Sequence, residues 1–181
     1  SRRDQDAMQT SVDAALELAT THGFKILIAT GAAQRGRLLV ERGDARQGLA
    51  RMEQGVAALR EIGAGFLIPI FLAAMAEVHE KMRRTADGLA RVDEAIAAAD
   101  ISGQHYWTAE LHRLKGALMR EADQKNAELS FREAIAIAQT QGAKLFDLRA
   151  ATSLGRLLAA QGKAAEAHTL LSSVYTWFTE G

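Results

Sequence analysis

Gly48-Leu49-Ala50-Arg51 returns unchanged as Gly88-Leu89-Ala90-Arg91, and Glu94-Ala95-Ile96-Ala97 returns as Glu133-Ala134-Ile135-Ala136. The first step is 40 residues and the second 39, and self-similarity at such a period marks a stacked-repeat architecture. The same phase runs through the glycines that close helix-like segments: Gly23 (LATTHGF), Gly63 (LREIGAG), Gly103 (ADISGQ) and Gly142 (AQTQGA), at steps of 40, 40 and 39. Glycine just past a helix end takes the positive φ of a left-handed cap without a Cβ clash. A unit of ~40 residues holds two helices of four to five turns and their short connections.

Within the last unit, Leu145, Leu148, Ala151, Leu154, Leu157 and Leu158 recur at spacings of three and four, which predicts one apolar stripe on a helix. Ala167, Leu170, Leu171, Val174, Tyr175 and Phe178 do the same after the short turn Gln161-Gly162-Lys163, so the two helices are antiparallel neighbours. Extended over the chain, this pattern predicts an all-α domain of nine helices, over 5–21, 25–42, 44–62, 66–83, 85–101, 105–122, 124–141, 144–161 and 164–178. The domain reads as a half repeat (1–23) and four repeats (24–63, 64–103, 104–142 and 143–181). The expected architecture is a right-handed α-solenoid stabilised by neighbour-to-neighbour burial, with no single central core.

Composition agrees with helices and excludes several function classes. Of 181 residues 36 are Ala, one is Pro and 6% are aromatic, which favours close-packed helices over a β-sandwich or barrel. The 48% hydrophobic content excludes a disordered chain. No Cys is present, which removes disulfides, thiol nucleophiles and cysteine-ligated zinc. With 22 Lys+Arg against 22 Asp+Glu the chain is neutral, so no broad footprint for nucleic acid or an anionic membrane is expected. The longest apolar stretch, Phe66 to Ala76 (FLIPIFLAAMA), is well short of the ~20 residues of a transmembrane helix and predicts a buried helix. The polar start Ser1-Arg2-Arg3-Asp4 is not a signal peptide, so the cytoplasm is the expected compartment. Starting on Ser and not Met, the chain reads as a fragment of a longer protein.

The turn-centred residues carry a family resemblance. Leu154-Gly155, Leu158, Gly162 and Ala167 in the last unit, and Gly36, Leu39, Gly43 and Gly48 in the first, resemble the tetratricopeptide repeat (TPR). The third unit fits through Gly116, Met119, Phe131 and Ala134 if one residue is dropped from its turn. The second fits least, with Ala76, His79 and Arg83 at those places before Gly88, Val92 and Ala95. The period of ~40 exceeds the usual 34, and glycine replaces the proline that commonly ends a repeat.

Longer strings are similar to the carboxyl-terminal TPR region of large bacterial signalling proteins: Ala109-Glu110-Leu111-His112-Arg113-Leu114-Lys115-Gly116, Asp147-Leu148-Arg149-Ala150-Ala151-Thr152-Ser153-Leu154 and Val174-Tyr175-Thr176-Trp177-Phe178-Thr179-Glu180-Gly181. Pro69 with Leu72, Ala76 and Glu77 matches another stretch of that region. In those proteins a class III adenylate/guanylate cyclase domain and a P-loop ATPase domain precede the repeats. The resemblance implies a regulatory or scaffolding segment with its catalytic domains elsewhere, and none of the matched residues is catalytic in that family.

Local motifs for chemistry are missing. Gly31-Ala32-Ala33-Gln34-Arg35-Gly36 lacks the Lys-Ser/Thr of a phosphate loop and lies mid-helix. His79-Glu80 opens like a zinc-protease motif, but Arg83 stands where the second His must be. His22, His105, His112 and His168 include no pair four residues apart, and no G-x-S-x-G elbow occurs. No cofactor or metal is expected, and the segment is expected not to be an enzyme. Tyr106-Trp107 and Trp177-Phe178 are expected to pack between helices, with an exposed anchor for a peptide or neighbouring domain as the alternative.

In a TPR array the first helix of each pair lines the concave surface. Its inward places here select Arg37 with Glu41, Glu77 with Lys81, then Glu110, Arg113, Arg120, Arg149 and Arg156 as partner-binding residues. Five arginines on one face suit bidentate capture of carboxylates or phosphates; the alternative is a solvated face of mutually neutralising weak pairs. Reversing Arg113 and Arg149 to Glu is then expected to abolish a partner interaction without lowering thermal stability. The expected function is a non-catalytic protein-interaction or regulatory module. Its partner is a protein or peptide, including the amino-terminal domains of the same polypeptide, and an exposed first or last helix offers a homodimer interface. The alternative is a ligand- or peptide-sensing TPR domain of a transcriptional regulator.

Overall fold

A computed structural model describes the backbone of residues 2–179 and the side chains of residues 10–176. Among the described residues there are nine α-helices and no strand: α1 (Arg2–His22), α2 (Lys25–Glu41), α3 (Ala45–Glu61), α4 (Ile68–Lys81), α5 (Thr85–Ser102), α6 (Thr108–Met119), α7 (Gln124–Thr140), α8 (Lys144–Ala160) and α9 (Ala164–Thr179). Every helix end lies within three residues of its expected place. The largest shifts have a cause: α4 and α6 are each entered through one 3-10 turn, Gly65–Leu67 and His105–Trp107. Pro69 sits in the first turn of α4, where its missing N–H leaves no bond unmade.

Capping residues punctuate the chain as their chemistry requires. Asp44 and Asp123 accept the N–H of Gln47 and Asn126 at 3.0 Å and so start α3 and α7. Gly23, Gly43, Gly63, Gly103, Gly142 and Gly162 all have positive φ, between 65° and 97°. One residue with a side chain joins them: Arg83, at φ 57°, occupies the place that Gly43 and Gly162 hold in other turns. A Cβ in that region costs about 1–2 kcal/mol, which glycine avoids.

The helices pack in the order of the sequence, and α2, α4, α6 and α8 also touch one another in turn. α4 is the central element, with Ile68, Pro69, Phe71, Leu72, Ala73, Met75, Ala76 and Val78 all buried, as expected of a helix apolar on nearly every side. The apolar interior is divided. One cluster runs from Ala29 and Ala33 of α2 through Phe71 and Met75 to Leu111 and Leu114 of α6, and a second joins Phe131 of α7 to Leu154, Leu157 and Leu158 of α8. Not all of the expected stripe is inward. Phe66, Leu145 and Tyr175 are exposed, because in the first turn of α8, for example, Phe146 and Ala150 take the inward places. The side chains of Trp177 and Phe178 lie outside the described residues. Among the described residues no helix is long and apolar enough to cross a membrane.

Close approach within a helix pair depends on glycine. A Cβ on Gly36 would lie 2.5 Å from the Gly48 carbonyl oxygen and 2.9 Å from the Met52 nitrogen, and a Cβ on Gly48 would lie 2.6 Å from the Gly36 oxygen. Backbone cannot step aside as a side chain can. Gly155 differs, since its Cβ would meet only the Leu171 side chain, nearest at 3.1 Å. Gly36→Ala is therefore expected to destabilise the fold by about 3 kcal/mol and Gly155→Ala by less than about 1. Arg83→Gly, which relieves the left-handed strain but loosens the unfolded chain, is expected to be neutral or stabilising by up to ~1 kcal/mol. Urea unfolding of the three variants measures all of this.

Candidate functional site

Four of the residues selected on the first helices of the pairs converge. Glu77 of α4, Glu110 and Arg113 of α6 and Arg149 of α8 form one network across three adjacent repeats. Arg113 donates through Nε and Nη2 to Glu110 Oε1 at 2.9 and 2.8 Å. Arg149 Nη2 lies 2.9 Å from the same oxygen and 3.2 Å from Glu77 Oε1, which is 3.8 Å from Arg113 Nη2.

This network is not a solvated set of weak pairs. Glu110 is 2% exposed, Arg113's side chain is 12% exposed, and Glu110 Oε2 is buried without a partner. Burial by itself would lower the Arg113 pKa. The hydrogen bond and charge of Glu110, with the charges of Glu77 and Glu80, outweigh it and hold the guanidinium above the ordinary arginine value. A buried carboxylate stripped of its partner carries the full desolvation penalty, about 3–5 kcal/mol.

The expected basic face is therefore corrected in part: two of its five arginines are consumed by two carboxylates, and this network is neutral. The other selected residues do not join them. Arg37 and Glu41 line a separate cavity of about 380 Å³ with Val12 of α1, Gln34 and Leu38. Lys81 and Arg120 line one of about 290 Å³ at the α4–α5 and α6–α7 turns, with Glu80, Arg83 and Glu121. Arg156 is exposed on α8. The second helices are cross-linked among themselves. Arg91 of α5 binds Glu53 of α3 at 3.0 Å, Arg60 of α3 binds Glu94 of α5, and Arg132 of α7 binds Glu166 of α9 at 2.7 Å.

Two features escaped the reading of the sequence. The first is a row of exposed large apolar side chains, Ile26, Phe66, Tyr106 and Leu145, each third after its capping glycine and at steps of 40, 40 and 39. Their exposures run from 43% to 64%. Within this row, the Tyr106 ring meets Phe146 at 5.3 Å and Trp107 at 5.7 Å. At the row's near end Phe24, Ile26, Leu27 and Ile62 line a cavity of about 560 Å³. The expected packed pair Tyr106-Trp107 is thus split, Trp107 half-buried beside Phe146 and Tyr106 facing solvent. Repeat register carried the signal, since all four are the same position of the unit.

The second is His79, 5% exposed with Nδ1 lacking a partner. Its alignment with Leu39, Met119 and Leu158 of the other units already pointed inward. Burial, and then the charge of Arg84, hold its pKa below the ordinary histidine value. Among the described residues no three His, Asp or Glu side chains stand close enough to hold a metal ion.

No protein-family model matches the chain. It is 30% identical over 158 residues to an uncharacterized protein of Rhizobium meliloti (strain 1021), an alignment that covers 86% of this chain and 15% of that protein. The chain thus corresponds to a small part of a relative roughly a thousand residues long.

Arg113→Met should destabilise the fold by about 3–5 kcal/mol, whereas Arg149→Met, which leaves Glu110 Oε1 both hydrogen bonds from Arg113, should cost about 1. The double reversal of Arg113 and Arg149 to Glu is now expected to unfold the chain, against the stability-neutral outcome expected from sequence. Thermal unfolding followed by circular dichroism decides. His79 is harder to protonate folded than unfolded, so the stability linked to it is complete above the unfolded pKa of 6.5 and lost as pH falls from there toward the lowered folded value. His79→Gln should flatten the pH dependence of urea midpoints across that window.

Proposed function

We propose that the chain is a non-catalytic protein-interaction segment: a right-handed, TPR-like solenoid within a multidomain bacterial signalling protein of the cyclase/ATPase kind, acting in the cytoplasm. The observation that carries the interaction role is the row Ile26, Phe66, Tyr106 and Leu145, four large apolar side chains left in water at one repeat position. Exposed apolar groups scattered singly are ordinary on protein surfaces, but four at the same repeat position recur in register with the stacking of the helices. Contact of α2, α4, α6 and α8 in succession, at the usual ~8–10 Å between packed helices, spaces the row evenly.

The length relation with the Rhizobium meliloti protein supports a segment serving a larger polypeptide. The neutrality of the Glu77–Glu110–Arg113–Arg149 network moves the expected docking place from that face to the apolar edge. A partner covering the edge would gain about 25 cal/mol per Å² of apolar surface removed from water. The sensing alternative has its own support in the 560 Å³ apolar cavity beside Phe24 and Ile26.

The test is association of this segment with the separately expressed remainder of its polypeptide, measured by calorimetry. Phe66→Glu with Tyr106→Glu should weaken association at least tenfold, about 1.4 kcal/mol, and leave the melting temperature within about 2 °C because both side chains already face water. Association unchanged by the pair of substitutions removes the edge from consideration.

A further inference from the structure

The α4–α5 turn differs from the α2–α3 turn at two adjacent positions, each time by an arginine. Arg83 holds the left-handed place of Gly43 and Gly162 at φ 57°. Arg84 holds the place where Asp44 and Asp123 cap α3 and α7. The Arg84 backbone, φ −95° and ψ 68°, nearly superimposes on that of Asp44, φ −93° and ψ 69°. The position is a cap in shape, yet a guanidinium cannot accept an N–H. The carboxylate that two other pairs supply from within is missing here, and a positive charge stands beside its place.

Arg84 lines a cavity of about 360 Å³ between α3 and α5, together with Arg46 and Glu53 of α3, His79 of α4, and Asp87 and Arg91 of α5. Arg84 pairs with Asp87 at 2.8 Å and Arg91 with Glu53 at 3.0 Å. Arg46 has no ion pair among the described residues, so one guanidinium of three is uncompensated. His79, 5% exposed, also lines the cavity, and among the described residues its buried Nδ1 has no hydrogen-bond partner. This cavity lies at the opposite end of α4 from Phe66 and owes nothing to the apolar edge.

We propose that the cavity binds an oxyanion, a carboxylate or phosphate group, held by Arg46 and Arg84 beside the first turn of α5, where a capping aspartate would otherwise lie. Guanidinium forks match such groups bidentately, and the unbonded N–H groups of the first turn add donors. The groups facing His79 fix the sign of the pH effect: burial first, then Arg84 and Arg91, disfavour its protonation, and Asp87 and Glu53 favour it. An entering anion adds negative charge against this ring, so binding is coupled to proton uptake at His79 and strengthens as pH falls. The oxyanion is carried either by a free small molecule or by an acidic or phosphorylated side chain of a protein, and its chemistry in the cavity is the same.

Inorganic sulfate, whose charge is constant over the range, is titrated into the intact chain by calorimetry between about pH 8 and pH 5.5, and the His79 ring is followed by NMR. Binding in the millimolar range, tightening severalfold toward low pH with a rise in the His79 pKa, is expected. Arg46→Ala should weaken it about tenfold, and His79→Gln should abolish its pH dependence. Arg84→Asp is the decisive variant: it restores the internal cap, so the melting temperature should rise while sulfate binding disappears. A Glu-rich peptide that binds at least tenfold tighter than phosphate assigns the oxyanion to a protein, and one that binds no tighter assigns it to a free anion. No binding of sulfate, phosphate or peptide, or sulfate binding undiminished in Arg84→Asp and Arg46→Ala, overturns the proposal, whichever way the apolar edge behaves.

Discussion

In the pairs α2–α3 and α6–α7 the helices approach until backbone meets backbone, and the packing of small residues between them depends on that contact. At Gly36 and Gly48 each carbonyl oxygen occupies the space a Cβ on the other residue would need. Gly55 repeats the arrangement against the carbonyl oxygen of Ala29, at 2.8 Å from a built Cβ. Helices drawn so near leave little volume between them, so small residues suffice inside: Ala29, Ala33, Ala76, Ala95, Ala127 and Ala134 are all buried. The abundance of alanine is a consequence of the approach distance, since larger side chains there would force the pairs apart.

Charge is organised around the same geometry. The first helices of successive pairs lie against one another, which brings Glu77, Glu110, Arg113 and Arg149 from three repeats to one point and takes Glu110 out of water. The second helices stand farther apart and are bridged by long side chains, as in Arg91 with Glu53 and Arg132 with Glu166. Screening separates the two sets. The outer pairs sit at the surface and are each worth a few tenths of a kcal/mol, whereas the inner network guards a buried carboxylate. What remains for recognition is the surface that packing did not use: the apolar edge at one end of the first helices and, at the other end of α4, the cavity with its unpaired Arg46.

Local rules were legible in the sequence because they act over a few residues. Asp44 and Asp123 cap helices by reaching the third N–H onward, and the capping glycines take positive φ, whatever the surroundings. The misplaced residues are those whose fate depends on a neighbour far along the chain. Leu145 continues an apolar stripe by spacing but is exposed, because Phe146 and Ala150 take the inward places. Glu110 and Arg149 look like surface charges until Glu77, 72 residues before Arg149, lies beside them. Arg83 falls between the two cases: its misfit to the repeat was visible, and its left-handed backbone explains why the second unit fits least.

The sequence by itself determined the number, length and order of the helices and the phase of the repeat, because caps, glycines and apolar periodicity are short-range physics. Only the tertiary structure decided which charges are spent on one another and which large apolar groups stay in water. Both depend on how closely the chain brings together helices from separate repeats, which no local spacing specifies.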